Sequence, residues 1–106
     1  MSLLTLSGLT WYAYNSMKPI RLSIHARAQS DYRGVQESEV HEVILSSKWE
    51  AANRGRLQAS KDFTFEKEWN KRYYKYKQVK PVFVEEETEL VVITVYAYYF
   101  NKEVDK

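Results

Sequence analysis

Leu90-Val91-Val92-Ile93-Thr94-Val95-Tyr96-Ala97-Tyr98-Tyr99-Phe100 is the most apolar stretch of the chain, and its reading decides the fold. Nearly every residue in it is β-branched or aromatic, the composition of a pleated, half-buried surface, so it is expected to be a central strand. The acidic run Glu85 to Glu89 precedes it, and Val79 to Val84 precede that run, which together predict a β-hairpin from Val79 to Phe100. A period of two sets Val91, Ile93, Val95 and Ala97 on one face and Leu90, Val92, Thr94, Tyr96 and Tyr98 on the other. The aliphatic face is expected to receive helices. The second face, which offers phenols and a hydroxyl, is expected to carry any binding surface.

The chain has 106 residues, enough for one domain with its own core. It contains no cysteine, which excludes disulfides, thiolate nucleophiles and zinc-thiolate sites and is compatible with a reducing compartment. His25 and His41 are the only histidines and have no partner at ligand spacing, so no metal and no cofactor is assigned. The net charge of +2, from 16 basic and 14 acidic residues, does not by itself argue for nucleic acid. Its distribution says more: Lys67, Lys71, Arg72, Lys75, Lys77 and Lys80 interleave with Trp69, Tyr73, Tyr74 and Tyr76. That pattern fits a phosphate-binding patch, and equally a sheet edge guarded by lysines. The apolar run is about half of the roughly 20 residues that a membrane helix needs, and the N-terminus lacks a basic region followed by a hydrophobic core. A cytoplasmic protein without a membrane segment is the expectation. Residues 1–17 read as a flexible or weakly docked leader in which Trp11, Tyr12 and Tyr14 are candidate anchors, and residues 18–106 read as a single α+β domain.

Along the chain, Lys18 to Leu22 begins at a proline-bearing edge strand. Ser23 offers an N-cap, Ile24, Ala28 and Tyr32 recur at helical spacing as the expected buried face, and Gly34 stands where a left-handed cap ends the helix. A second helix starts at Gln36, with Glu37 and Glu39 in the first turn, Val35 as a staple and Val40, Val43 and Ile44 as the buried stripe. Asn53 to Arg56 reads as a turn and Leu57 to Ala59 as a strand start. Phe63 to Phe65 and Trp69-Asn70, broken up by charges, read as a loop or helical turn carrying aromatic anchors. Tyr73 to Val84 is a long strand with Pro81 inside it, where a bulge or an unpaired N–H is expected. The order is β-α-α-β-β-β: two N-terminal helices packed on an antiparallel sheet.

Several residues can carry chemistry. His25 near a helix N-terminus is disfavoured as imidazolium by the dipole, and so can serve as a base or be a structurally bonded histidine. Arg27, Arg33, Arg54 and Arg56 present guanidinium forks suited to phosphoryl oxygens, or are solvated arginines. Arg33, before Gly34, can equally satisfy the last carbonyls of its helix, whereas Arg56 enters a strand and is preferred. Lys80 shares side-chain parity with Tyr74, Tyr76 and Val82. If the hairpin turns at Glu85 to Glu89, Lys80 lies beside Thr94, Tyr96 and Tyr98 on one face, suited either to stacking unpaired bases or to contacting protein. A glycine-rich phosphate loop, a paired-histidine motif and a nucleophile elbow are all missing.

Ile24-His25-Ala26-Arg27, Arg33-Gly34-Val35, Glu39-Val40 and Val92-Ile93-Thr94-Val95-Tyr96 resemble the pattern of a small prokaryotic family called domain of unknown function 4258. Trp49 to Arg56 and Lys80-Pro81 are similar to its cyanobacterial branch. That family resembles the RelE/ParE-type toxins, so the resemblance implies a RelE-like fold and metal-independent cleavage of RNA, with the 2′-hydroxyl attacking its neighbouring phosphate. It would make His25 or Lys80 the proton-transfer group, Arg27 and Arg56 the charge stabilisers, and Tyr96 a base-stacking residue, with Arg33, Tyr76, Thr94 and Tyr98 binding substrate. The implied partners are RNA and an antitoxin protein on the same face. Two other readings stay open: a non-catalytic protein-binding or homodimerisation module, and a toxin-like domain without activity.

Overall fold

A computed structural model describes residues 18–101; the expected leader lies outside the described residues. The order is β1 (Ile20–Leu22), α1 (Ile24–Tyr32), α2 (Glu37–Ser46), β2 (Glu50–Ala51), a 3-10 turn (Asn53–Gly55), β3 (Leu57–Gln58), β4 (Lys61–Trp69), β5 (Arg72–Glu85) and β6 (Leu90–Phe100). This is an α+β fold on one six-stranded sheet ordered β1-β6-β5-β3-β2, with β4 also paired to β5. The sheet is mixed rather than antiparallel, because β1 runs parallel to β6. Among the described residues no helix is long and apolar enough to cross a membrane.

The β5–β6 hairpin forms as expected, but β6 does not keep one alternation along its length. Val82 pairs with Thr94 and Phe83 with Val92, leaving Ile93 as an extra residue in β6. Such a bulge moves every later side chain to the other face. Leu90 and Val92 are therefore buried before it and Val95 after it, while Val91 and Ile93 are only half-buried. The expected face of Val91, Ile93, Val95 and Ala97 is corrected to Leu90, Val92, Val95 and Ala97. From β5, Val79, Pro81 and Phe83 complete this layer, and α2 adds Val40, Val43 and Ile44, the stripe read from its spacing. Trp49 sets its ring edge on Phe83 at 5.1 Å and donates its indole N–H to the Ile44 carbonyl at 2.8 Å.

α1 is capped at both ends by the residues anticipated. The Ser23 hydroxyl accepts from the Ala26 N–H at 3.0 Å. At the other end Val35 N–H reaches the Ser30 carbonyl and Gly34 N–H that of Asp31, with Gly34 at φ 73, the paired bonds of a left-handed cap. Its buried face is another matter. Ala26 and Ser30 point inward, whereas Ile24 is 90% exposed and Tyr32 82% exposed, so the expected stripe of Ile24, Ala28 and Tyr32 faces out. The reason is the edge of β6 beyond β1. There α1 turns its polar side chains inward: Gln29 Oε1 accepts from Val95 N–H at 3.0 Å and Arg33 Nη1 donates to the Val95 carbonyl at 2.8 Å.

Three polar tethers join these elements. Arg21 binds Glu89 through two hydrogen bonds of 3.1 and 3.0 Å, which hold the Glu89 carboxyl below the usual carboxylate range. Lys77, buried on β5, donates to Glu39 Oε1 at 2.9 Å and to the Gly34 carbonyl at 3.0 Å. The same Glu39 oxygen accepts the Gln36 N–H at 2.9 Å, so the carboxylate that starts α2 also neutralises Lys77. Tyr99 donates its hydroxyl to the Arg33 carbonyl at 2.7 Å, and its ring packs between Phe65 and Trp69 at 5.1 and 5.2 Å. Burial, with the Glu39 carboxylate adding to it, pushes the Tyr99 phenol up to about 12.

Phe63 to Trp69 form a strand, not a loop. β4 pairs with β5 across a tight turn in which Asn70 and Lys71 both have positive φ, 56 and 68°, as a two-residue hairpin requires. A bulge at Phe65 and Glu66 opposite Lys75, with Glu66 at φ 49, shifts that pairing, and Tyr74 joins the rings around Tyr99 rather than Tyr76 and Lys80. At Pro81 the expected bulge does not form: Pro81 stays in register opposite Val95 of β6. β3 and β4 keep one register on β5, and the two-residue gap between them falls opposite Pro81 and Lys80, bridged by the Ala59 N–H to the Pro81 carbonyl at 3.3 Å.

Two measurements test this packing. In urea denaturation, Phe83→Ala should cost about 3–5 kcal/mol, while Ile24→Ala should change stability by less than about 0.5 kcal/mol. Because folding raises the Tyr99 pKa, the folded state favours the protonated phenol, and that contribution is complete below pH 10 and lost as pH rises to about 12. The stability gap between the wild type and Tyr99→Phe should therefore narrow across that window and stay constant below it.

Candidate functional site

On the sheet face away from the helices, the hairpin rows build a floor. Val82 stands opposite Thr94, Lys80 opposite Tyr96 and Gln78 opposite Tyr98. Gln58 of β3 pairs with Val82 on its other side, so Gln58, Val82 and Thr94 form one row across three strands. The wall is the turn between β2 and β3, where Arg54 and Gly55 take positive φ, 62 and 74°. Hydrogen bonds from Ala52 N–H to the Arg56 carbonyl, 2.8 Å, and from Arg56 N–H to the Asn53 carbonyl, 3.2 Å, close the turn and hold Arg56 at the rim. The result is a groove of about 460 Å³ lined by Asn53, Arg56, Gln58, Lys80, Tyr96 and Tyr98, together with Ala52, Val82 and Thr94.

Electrostatically the groove is one-sided. Arg56 and Lys80 are both half-buried, and among the described residues neither is engaged by a carboxylate. Among the described residues the lining contains no acid. Two carboxylates border it: Glu50 pairs with Gln58 across β2 and β3, and Asp62 accepts a hydrogen bond from the Gln78 amide at 2.9 Å. Two cations with no carboxylate partner among the described residues, beside two phenols and a hydroxyl, are chemically suited to holding an anion next to planar rings.

Five of the site residues expected from sequence meet here: Arg56, Lys80, Thr94, Tyr96 and Tyr98. Tyr76 lies at the end of the same face, stacked on Phe100 at 5.4 Å, outside the lining. Arg33 reaches it only indirectly, with its guanidinium 5.4 Å from the Tyr96 ring centre while it bonds the Val95 carbonyl. Its expected substrate contact becomes an edge cap for β6. His25 and Arg27 stand on α1, in the helix layer: His25 is exposed, and Arg27 is paired with Glu37 at 2.7 Å. The structure does not bring them to Arg56 and Lys80.

Asn53 and Gln58 were not anticipated. Gln58 alternates with Leu57 along β3, but nothing in the sequence shows that β3 pairs with β5 beside Val82. No family model matches the chain, and no curated protein or solved structure matches it significantly.

Proposed function

We propose that the protein is a toxin-like, metal-independent endoribonuclease of a toxin–antitoxin pair, binding RNA in the groove of Arg56, Lys80, Tyr96 and Tyr98. The observation that carries this reading is the meeting of Arg56 and Lys80, neither held by a carboxylate among the described residues, with the Tyr96 and Tyr98 rings in one groove. The resemblance of Val92 to Tyr96 and of Lys80-Pro81 to a family akin to RelE-type toxins points the same way. In this reading a phosphodiester lies between Arg56 and Lys80. The 2′-hydroxyl attacks the adjacent phosphorus, the bond to the 5′-oxygen breaks, and the products are a 2′,3′-cyclic phosphate and a free 5′-hydroxyl. Arg56 stabilises the extra charge on the non-bridging oxygens, and Lys80 is the proton-transfer group. His25 and Arg27 take no part.

A second reading rests on the exposure of Tyr96 and Tyr98, 39% and 47%, which also suits a protein contact, either an antitoxin segment or a second copy. RNA titrations at several salt concentrations separate the two. Counterion release makes RNA affinity fall steeply with salt, and Arg56→Ala or Lys80→Ala should each lower the slope of log affinity against log salt by about one. Expression of the wild type should arrest growth, with arrest relieved by Arg56→Ala and Lys80→Ala and not by His25→Ala. Harmless expression, with a stable dimer that Tyr98→Ala dissociates, would favour the second reading.

A further inference from the structure

Tyr96 and Tyr98 do more than line the groove. Their ring centres are 6.5 Å apart and their planes differ by only 17°. The spacing follows from the strand, since residues two apart on one face are separated by roughly 6.8 Å. Stacked bases lie about 3.4 Å apart, and two such steps, roughly 6.8 Å, come close to this centre-to-centre distance. Resting on the RNA reading of the groove, we propose that Tyr96 and Tyr98 form a clamp that receives a single unpaired nucleobase between their rings, selecting single-stranded over duplex RNA.

Each ring of the clamp has a polar neighbour. The Arg33 guanidinium sits against the Tyr96 ring and is fixed by the Val95 carbonyl. Tyr98 stands opposite Gln78, whose amide is held by Asp62. Lys80 lies directly across the ladder from Tyr96, so the phosphate adjoining the clamped base falls at Lys80, with Arg56 on the far wall of the groove. A base paired in a duplex cannot enter, because both its faces are already stacked. Recognition by ring faces is tolerant of sequence and favours the larger purine rings.

The test uses the full chain and three labelled probes: a short oligoadenylate, the same oligomer with abasic ribosides throughout, and the oligoadenylate paired with oligouridylate. The intact single strand should bind roughly tenfold more tightly than either other probe. Tyr98→Ala should lose that advantage, Tyr98→Phe should keep it, and Tyr73→Ala, which removes an exposed ring elsewhere on β5, should leave it unchanged. Equal affinity for the intact and abasic strands, with binding still dependent on Arg56 and Lys80, would overturn the clamp and leave the RNA reading standing. Absence of salt-dependent binding to all three probes would overturn the RNA reading and the clamp with it.

Discussion

The extra residue at Ile93 is the constraint on which the rest depends. A strand of eleven residues with unbroken alternation would set either Leu90 and Val92 or Val95 and Ala97 toward the helices, not both pairs. One bulge lets β6 give aliphatic side chains to the core at both ends, and the same displacement turns Thr94, Tyr96 and Tyr98 together onto the opposite face. Core and groove are two results of one local irregularity. Deleting a residue there would invert half the strand, exposing Val95 and driving Tyr96 into the helix layer.

The helix junction is fixed by a second, polar constraint. Gly34 supplies the left-handed turn between α1 and α2, and any Cβ there would lie 2.6 Å from the Trp69 ring and 2.8 Å from the Tyr99 hydroxyl. Rings from β4 and β6 thus close over the turn, while Lys77 and Tyr99 reach up to the two carbonyls it leaves free. A buried ammonium is tolerable only because Glu39 meets it, and that carboxylate is held by the first turn of its own helix. The short loop, the second helix start and the sheet are in this way one cooperative unit.

Much of this was legible beforehand, and the failures have identifiable causes. Ser23, Gly34 and the Val40, Val43, Ile44 stripe announced their roles because capping and helical spacing are local. The β5–β6 pairing, and with it the meeting of Lys80 and Tyr96, followed from the placement of one turn. What was hidden is what depends on partners distant in sequence. The inward face of α1 is polar because it finishes a strand edge, so a rule that buries apolar residues chose Ile24 and Tyr32 wrongly. β4 was concealed by its charges, since an outer strand with one solvated flank carries Lys61, Asp62, Glu66 and Glu68 at no cost to its core. His25 and Arg27 suggested chemistry by residue type and proximity in the chain, yet α1 lies on the other layer from the groove.

The manner in which α1 finishes β6 also bears on assembly. Gln29 and Arg33 occupy the donor and acceptor of Val95 that a neighbouring polypeptide would otherwise use to extend the sheet. At Val95 that flank is therefore closed to strand addition. Side chains of the helix layer thus stand where another copy of the chain would have to dock to prolong the sheet into a ribbon at this residue.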